Sequence, residues 1–169
     1  MDEPGRESYR VVVGLGSNLG DRKKTLGEAR DHIARIPGVT VLASSRVYET
    51  KPVGLVEQAD FLNAATLVRT TLVPRSLLAA LFDIERALGR VRPDPVRFGP
   101  RTLDLDLLWL EGSALSEPDL AVPHPRLVER AFALVPLCEL VPKATDPTTG
   151  LRYADLARAR EPLTSVGAL

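Results

Sequence analysis

Residues 89–110 read GRVRPDPVRFGPRTLDLDLLWL. The first half sets Arg90, Arg92, Arg97 and Arg101 among Gly89, Gly99, Pro93, Pro95 and Pro100. Prolines this dense lack the donors for a helix or a strand ladder, so this half is a long cationic loop. The second half is a strand. In an extended chain alternate side chains share a face, which puts Asp104 and Asp106 on one side and Leu103, Leu105 and Leu107 on the other, towards a core.

Two carboxylates one strand-step apart repel unless a cation sits between them, and the hard cations that favour oxygen ligands are Mg²⁺, Mn²⁺ and Ca²⁺. Mg²⁺ commonly takes one or two carboxylates and completes its shell with water and phosphate oxygens. Arginine, a planar fork of donors, matches phosphate. The stretch therefore points to metal-assisted phosphoryl transfer, in which the protein mainly positions groups and neutralises charge. Alternating Leu and Asp also describes an antiparallel strand with one wet face, and arginine-rich loops are often only solvated. The adjacency of pair and loop, with Trp109 and the Leu set fixing the strand, favours a site.

The chain has 169 residues, enough for one ordinary domain with a proper core and short for two. With 44% hydrophobic and 26% charged residues the composition is globular. The 22 basic and 22 acidic residues give a formal net charge of zero. That argues against nucleic acid or an anionic membrane as partner, both of which require a large basic excess, and leaves a small polyanion for the arginines. The single cysteine, Cys138, lies in an apolar run and reads as core filler. The polar start, Met1 to Glu7, has no apolar stretch of a leader, and no run approaches eighteen apolar residues. The expectation is a cytoplasmic, monomeric, unanchored protein.

Working outward, Tyr9 to Leu15 reads as a buried β-branched strand ended by glycines. Gly14-Leu15-Gly16-Ser17-Asn18-Leu19-Gly20-Asp21 has its third glycine one residue late for a dinucleotide loop, and a tight strand-to-helix turn is the better account. A first helix is predicted over Arg22–Ile36, from the stripe Leu26, Ala29, Ile33 and Ile36, with Pro37-Gly38 as its stop and His32 solvated off the stripe. A second strand covers Val39–Tyr48, after which Glu49 to Gly54 leaves regular structure. A third strand spans Phe61–Thr70. Pro74 opens a second helix with the stripe Leu77, Leu78, Leu81, Ile84 and Leu88, and Gly89 ends it. The aspartate strand is fourth. The order β-α-β-β-α-β is the split βαβ pattern of a ferredoxin-like α+β domain, an antiparallel sheet with helices packed on it. C-terminal additions follow: a Pro123-His124-Pro125 turn, an apolar helix from about Arg126 to Val141, and short structure after Gly150. No repeat or second-domain linker is visible, so residues 1–169 read as one domain.

Several stretches, taken together, resemble the 6-hydroxymethyl-7,8-dihydropterin pyrophosphokinase family: GLGSNLGDR from Gly14, YETKPVG from Tyr48, QADFLNA from Gln58, IERALGRVR from Ile84, GPRTLDLDLL from Gly99 and VPHPRLVERAFALVPLCELVP from Val122. They span most of residues 10–142. The resemblance implies transfer of diphosphate from ATP to the pterin's hydroxymethyl oxygen, with release of AMP and two Mg²⁺ ions on the triphosphate. It also assigns residues. Asp104 and Asp106 match metal ligands, and with them Arg90 and Arg101 match catalytic positions, the two arginines on a mobile loop. Arg92 matches a loop arginine near the nucleotide, while Glu85, Leu107, His124 and Arg130, with Arg101, match ATP-side positions. Phe61 and Phe132 match stacking positions for the pterin, Asn63 the reader of its polar edge, and Thr50 and Val53 positions making mainly backbone contacts. Phe98, Ala121 and Phe82 depart from residues common at those positions in the family, the last two on the nucleotide side. Two readings from outside this one are another metal-dependent phosphate or nucleotide transferase, and a non-catalytic nucleotide-binding module on the same scaffold.

Overall fold

Val11, Val12 and Val13 are fully buried at the middle of strand β1 (Tyr9–Ser17). They point alternately into two different cores, so the sheet they belong to is covered on both faces. The structure is a computed structural model that describes residues 7–54, 57–96 and 98–169; the polar start up to Arg6 and Arg97 lie outside the described residues.

The chain runs β1, α1 (Arg22–Ala34), β2 (Val39–Ser44), β3 (Arg46–Thr50), β4 (Phe61–Thr70), α2 (Pro74–Ala87), β5 (Asp104–Leu110), β6 (Leu115–Glu117), β7 (Leu120–Val122), α3 (Ala131–Leu140) and β8 (Thr164–Ala168). Single turns of 3₁₀ helix sit at Leu127–Glu129, Tyr153–Asp155 and Ala157–Arg160. The main sheet is ordered β5-β1-β4-β3-β8 with β2 also on β4, and all its pairings are antiparallel. This is the α+β, split βαβ arrangement that the sequence predicts. One face carries α1 and α2 through Leu26, Ile33, Leu77, Leu81 and Ile84. The other carries α3 through Leu134 and Leu137, with Trp109 and Tyr153. No helix among the described residues is long and apolar enough to cross a membrane.

Four boundaries differ from the sequence reading. Strand β1 continues through Gly14 and Gly16 to Ser17 rather than turning at the glycines, because β4 and β5 pair with it on both edges along that stretch. The second strand is two: a register shift between Val41 and Ala43 is followed by a break at Ser45, whose hydroxyl takes the Ala65 N–H at 2.9 Å. Its second part extends to Thr50, two residues further than the pattern suggested. Helix α1 stops at Ala34, and the apolar helix begins at Ala131 rather than Arg126 because Arg130 is extended (φ −117°, ψ 100°) and breaks it from the preceding 3₁₀ turn.

A second register shift lies in β5. Val12 pairs with Trp109 and Val13 with Leu107, so Leu108 is an inserted residue. Leu103, Leu105 and Leu107 join the helix-side core as the alternation predicts, whereas Leu108 and Trp109 both turn to the α3 side. The face that carries the aspartates is thus packed against α3 at Leu108 and Trp109.

Candidate active site

Gly14 and Gly16 lie opposite Asp106 and Asp104 in β5, and opposite Ala65 and Asn63 in β4. Side chains are missing where the sheet forms a floor. A Cβ on Gly14 would stand 3.1 Å from the Leu108 side chain, and one on Gly16 would stand 3.0 Å from Asn63 Oδ1, so glycine here permits close approach. Over this floor a cleft is lined by Thr50, Val53, Phe61, Asn63, Arg101, Asp104, Asp106, His124, Arg130 and Phe132, together with Lys51 and Phe98. Ten of the residues singled out in the sequence therefore meet in one cavity.

The residues that the resemblance assigns to the pterin are held by neighbours. Thr50 and Phe61 face each other across β3 and β4, and Asn63 Nδ2 donates to Thr50 Oγ1 at 2.6 Å. Phe132 enters from the first turn of α3. The Arg130 guanidinium lies 5.5 Å from the centre of its ring, so one face of the Phe132 site is already bordered by a cation.

The carboxylates differ. Asp104 accepts from Arg90 Nη1 at 2.8 Å through Oδ1 and from Arg101 Nη1 at 3.1 Å through Oδ2. Asp106 has no such partner among the described residues. Burial, and then repulsion from Asp104, push its carboxyl up to about 7, against the pull of Arg130 and Arg101. No group of three or more His, Cys, Asp or Glu placed to hold a metal occurs among the described residues. Two carboxylates without a third protein ligand suit Mg²⁺, which retains water and phosphate in its shell, better than a metal that requires a full protein cage.

Behind the strand, Glu85 is fully buried on α2. It receives Arg92 Nε at 2.8 Å and Nη2 at 3.1 Å, Arg90 Nη1 at 3.2 Å, and the Leu105 N–H at 2.8 Å. Burial raises its pKa, while the backbone N–H and the two arginines act against that rise. Arg90 is only 6% exposed and also holds Asp94 through both Nη2 and Nε. The prediction of Arg90 as a flexible loop cation is corrected here: its guanidinium is a buried junction of three carboxylates. Arg92 stacks on Phe82 at 4.6 Å. Glu85, Arg90, Arg92 and Leu107 lie outside the cleft lining, and the Leu107 side chain is packed in the helix-side core. The loop is also less cationic than its composition implies, since Asp94 and Glu85 absorb Arg90 and Arg92.

Three residues escaped the sequence reading. Asn18 accepts from the Arg101 N–H at 2.8 Å, donates its own N–H to Arg101 O at 3.1 Å, and holds Gln58 Oε1 at 2.7 Å and Ala59 O at 3.0 Å. Gln58 in turn donates to Phe98 O at 2.6 Å. Lys51 lines the cleft from the end of β3. Asn18 and Gln58 sit inside quoted motifs, so their presence was visible, but a polar side chain that braces backbone has no periodicity to give it away.

His124 is poised differently. Its pKa is lowered by burial and by Arg130 and Arg126, with Asp104 acting in the opposite sense. Its Nδ1 accepts from the Arg126 N–H at 3.1 Å, which fixes the ring.

The family model for 7,8-dihydro-6-hydroxymethylpterin-pyrophosphokinase (HPPK) matches residues 12–142. The chain is 47% identical over 133 residues to the 2-amino-4-hydroxy-6-hydroxymethyldihydropteridine pyrophosphokinase of Methylorubrum extorquens, covering 79% of this chain and 83% of that one. Identity to the Bacillus subtilis protein of the same name is 45% over 130 residues, covering 77% of each. Among solved structures, wild-type Plasmodium falciparum HPPK-DHPS with pterin and p-hydroxybenzoate superposes with a TM-score of 0.70 at 14% identity, a likeness of fold. It covers 91% of this chain, which spans 43% of that longer one. A cleft with paired carboxylates and paired aromatics, in a chain matched over most of its length, identifies this protein as a member of the 7,8-dihydro-6-hydroxymethylpterin-pyrophosphokinase family.

Proposed function

We infer the following division of labour for the pyrophosphokinase reaction in folate biosynthesis, the transfer of diphosphate from ATP to 6-hydroxymethyl-7,8-dihydropterin. The hydroxymethyl oxygen bonds to the β-phosphorus, the bond from that phosphorus to the α,β-bridging oxygen breaks, AMP leaves and the hydroxyl proton is released. One observation carries the assignment: aromatic faces for a flat ring and paired carboxylates for a metal share one cleft.

Phe61 and Phe132 sandwich the ring and Asn63 reads its polar edge, with Thr50 holding the Asn63 amide in place. Thr50 and Val53 add backbone contacts. Asp104 and Asp106 hold the metal, two Mg²⁺ ions in our reading. Bound there, Mg²⁺ supplies Lewis-acid polarisation of the phosphoryl oxygens. Arg101 and Arg130, the cations at the carboxylates, neutralise the phosphates, and His124 donates from the opposite wall as a neutral ring. Arg90 acts through Asp104, and Glu85 through Arg90, Arg92 and β5, with Leu107 completing the nucleotide side from its backbone. Alignment of the oxygen with the phosphorus does most of the work. We take the chain to act as a single-domain monomer in the cytoplasm.

AMP formation from ATP and Mg²⁺, with and without the pterin, tests this beside Asp104→Ala. AMP that requires the pterin and disappears in the variant supports the reading. ATP binding without pterin-dependent AMP overturns it.

A further inference from the structure

Asn18 is 2% exposed and stands between the loop that carries Arg101 and the segment that enters β4 at Phe61. Towards the loop, its Oδ1 accepts the Arg101 N–H at 2.8 Å and its own N–H donates to Arg101 O at 3.1 Å, so both polar groups of the Arg101 backbone are gripped. Towards β4, its Nδ2 donates to Gln58 Oε1 at 2.7 Å and to Ala59 O at 3.0 Å, two residues before Phe61.

This amide cannot be turned round, because Oδ1 meets a backbone N–H and Nδ2 a backbone carbonyl, each of fixed polarity. Asn18 thereby orients Gln58 as well. With Oε1 facing Asn18, the Gln58 Nε2 is left to donate to Phe98 O at 2.6 Å. Phe98 has φ +57°, a conformation that a bulky residue keeps only where its surroundings hold it. One buried amide thus orders both ends of Phe98-Gly99-Pro100-Arg101. The side chain it delivers is the Arg101 guanidinium, which lies 3.1 Å from Asp104 and 3.4 Å from Asp94.

We propose that Asn18 is a positioning residue for the transfer step: from outside the cleft lining it holds the Arg101 backbone in register with the Phe61 segment, and Gln58 extends that hold to Phe98. The inference rests on the phosphate role assigned above to Arg101. A guanidinium reaches a phosphate from wherever its own backbone stands, and a misplacement of about 1 Å can cost roughly a hundredfold in rate.

Asn18→Asp is the isosteric test. It keeps an acceptor for the Arg101 N–H, offers no donor to Ala59 O, and invites Gln58 to turn its Nε2 inward and its oxygen towards Phe98 O. Single-turnover rate, pterin Kd and melting temperature are measured for wild type, Asn18→Asp, Arg101→Ala and the double variant. Asn18→Asp is expected to slow turnover at least about thirtyfold in wild type and less than about threefold in Arg101→Ala, with pterin Kd within about threefold. Equal slowing in both backgrounds overturns the proposal, since a residue that only supports the fold penalises both alike. So does a loss under about threefold in wild type, or a pterin Kd that rises as far as the rate falls. Should Asn18→Asp not fold, Gln58→Glu, at a partly exposed position, removes only the donor to Phe98 O and makes the same comparison. Its expected loss is about tenfold in wild type and under about twofold in Arg101→Ala, and equal losses again overturn the proposal. Wild type that forms no pterin-dependent AMP would instead refute the reading of the cleft, and this inference with it.

Discussion

Glu85 on α2 accepts the Leu105 N–H at 2.8 Å, and Leu105 is the residue between Asp104 and Asp106. One buried carboxylate therefore fixes the height of the strand that carries both proposed metal ligands. The same carboxylate holds Arg90, which holds Asp104.

Glu85→Ala leaves Arg90 and Arg92 without their buried counter-charge and the Leu105 N–H without its acceptor. Removing one partner of a buried pair costs about 3–5 kcal/mol, and in a domain of this size each kcal/mol lowers the melting temperature by roughly 2–4 °C. A drop on the order of 10 °C by calorimetry is expected. A loss under about 1 kcal/mol would show that solvent replaces the network at little cost.

Asp104→Ala and Asp106→Ala are each expected to reduce turnover by several orders of magnitude with the circular dichroism spectrum unchanged. The stabilities of Asp104→Ala and Asp106→Asn should diverge in the absence of metal. Asp104→Ala uncovers Arg90 and Arg101, whereas Asp106→Asn removes a charge that repels Asp104, so at pH 8 in chelator the second variant melts above wild type and the first below. Urea titration of the three proteins decides this.

The pH dependence has a sign fixed by Asp106. Its folded pKa, about 7, lies above the unfolded value of roughly 3.9. Between the two the folded protein binds a proton that the unfolded chain has released, so this group's contribution to stability grows as pH falls from about 7 towards 4 and is lost as pH rises through 7. His124 works the other way: its pKa is lowered in the fold, so below about 6.5 the unfolded chain protonates first and stability declines. Comparing wild type with Asp106→Asn cancels His124. The advantage of Asp106→Asn in metal-free melts should shrink by at least about 1 kcal/mol between pH 8 and pH 5. A constant gap would mean that Asp106 titrates as an ordinary carboxyl.

Gly16→Ala introduces a methyl 3.0 Å from Asn63 Oδ1 and 3.7 Å from the Phe61 ring. Asn63 and Phe61 must then give way on the proposed pterin side while the carboxylates keep their places. The KM for pterin is expected to rise at least tenfold with the KM for ATP within threefold. Equal effects on both would place the pterin elsewhere.

Arg101→Ala should lower the rate more than it weakens pterin binding, because the side chain meets Asp104 rather than the aromatic pair. Single-turnover rates and pterin Kd, measured side by side, check it.

The layout of strands and the first two helices was legible because hydrophobic period, Pro74 and Gly89 all agree with the tertiary arrangement. Alternation alone placed both aspartates on one face. It did not reveal that α3 lies against this face, since a strand's own pattern says nothing about what packs on it from 25 residues further along. Arg90 was misjudged for a related reason. Glycines and prolines around it announce loop, and loops are normally wet, but its partners Glu85 and Asp104 lie on a helix and a strand that composition cannot bring together. The strand β8 had no signal at all: its five residues are exposed and weakly patterned, and only pairing with β3 orders them.

The inserted Leu108 has a consequence for how this sequence can vary. Up to Leu107 the parity of β5 is set by the two proposed metal ligands, which share one face; beyond it, parity is dictated by the fit of Trp109 under the 145 carbonyl, to which its Nε1 donates at 3.2 Å. The extra residue is a phase reset that uncouples the two demands. Substitutions in the half that ends at Leu110 can exchange one packing solution for another without turning the carboxylates away, whereas deleting Leu108 would force the two halves back into one rhythm that only one of them can satisfy.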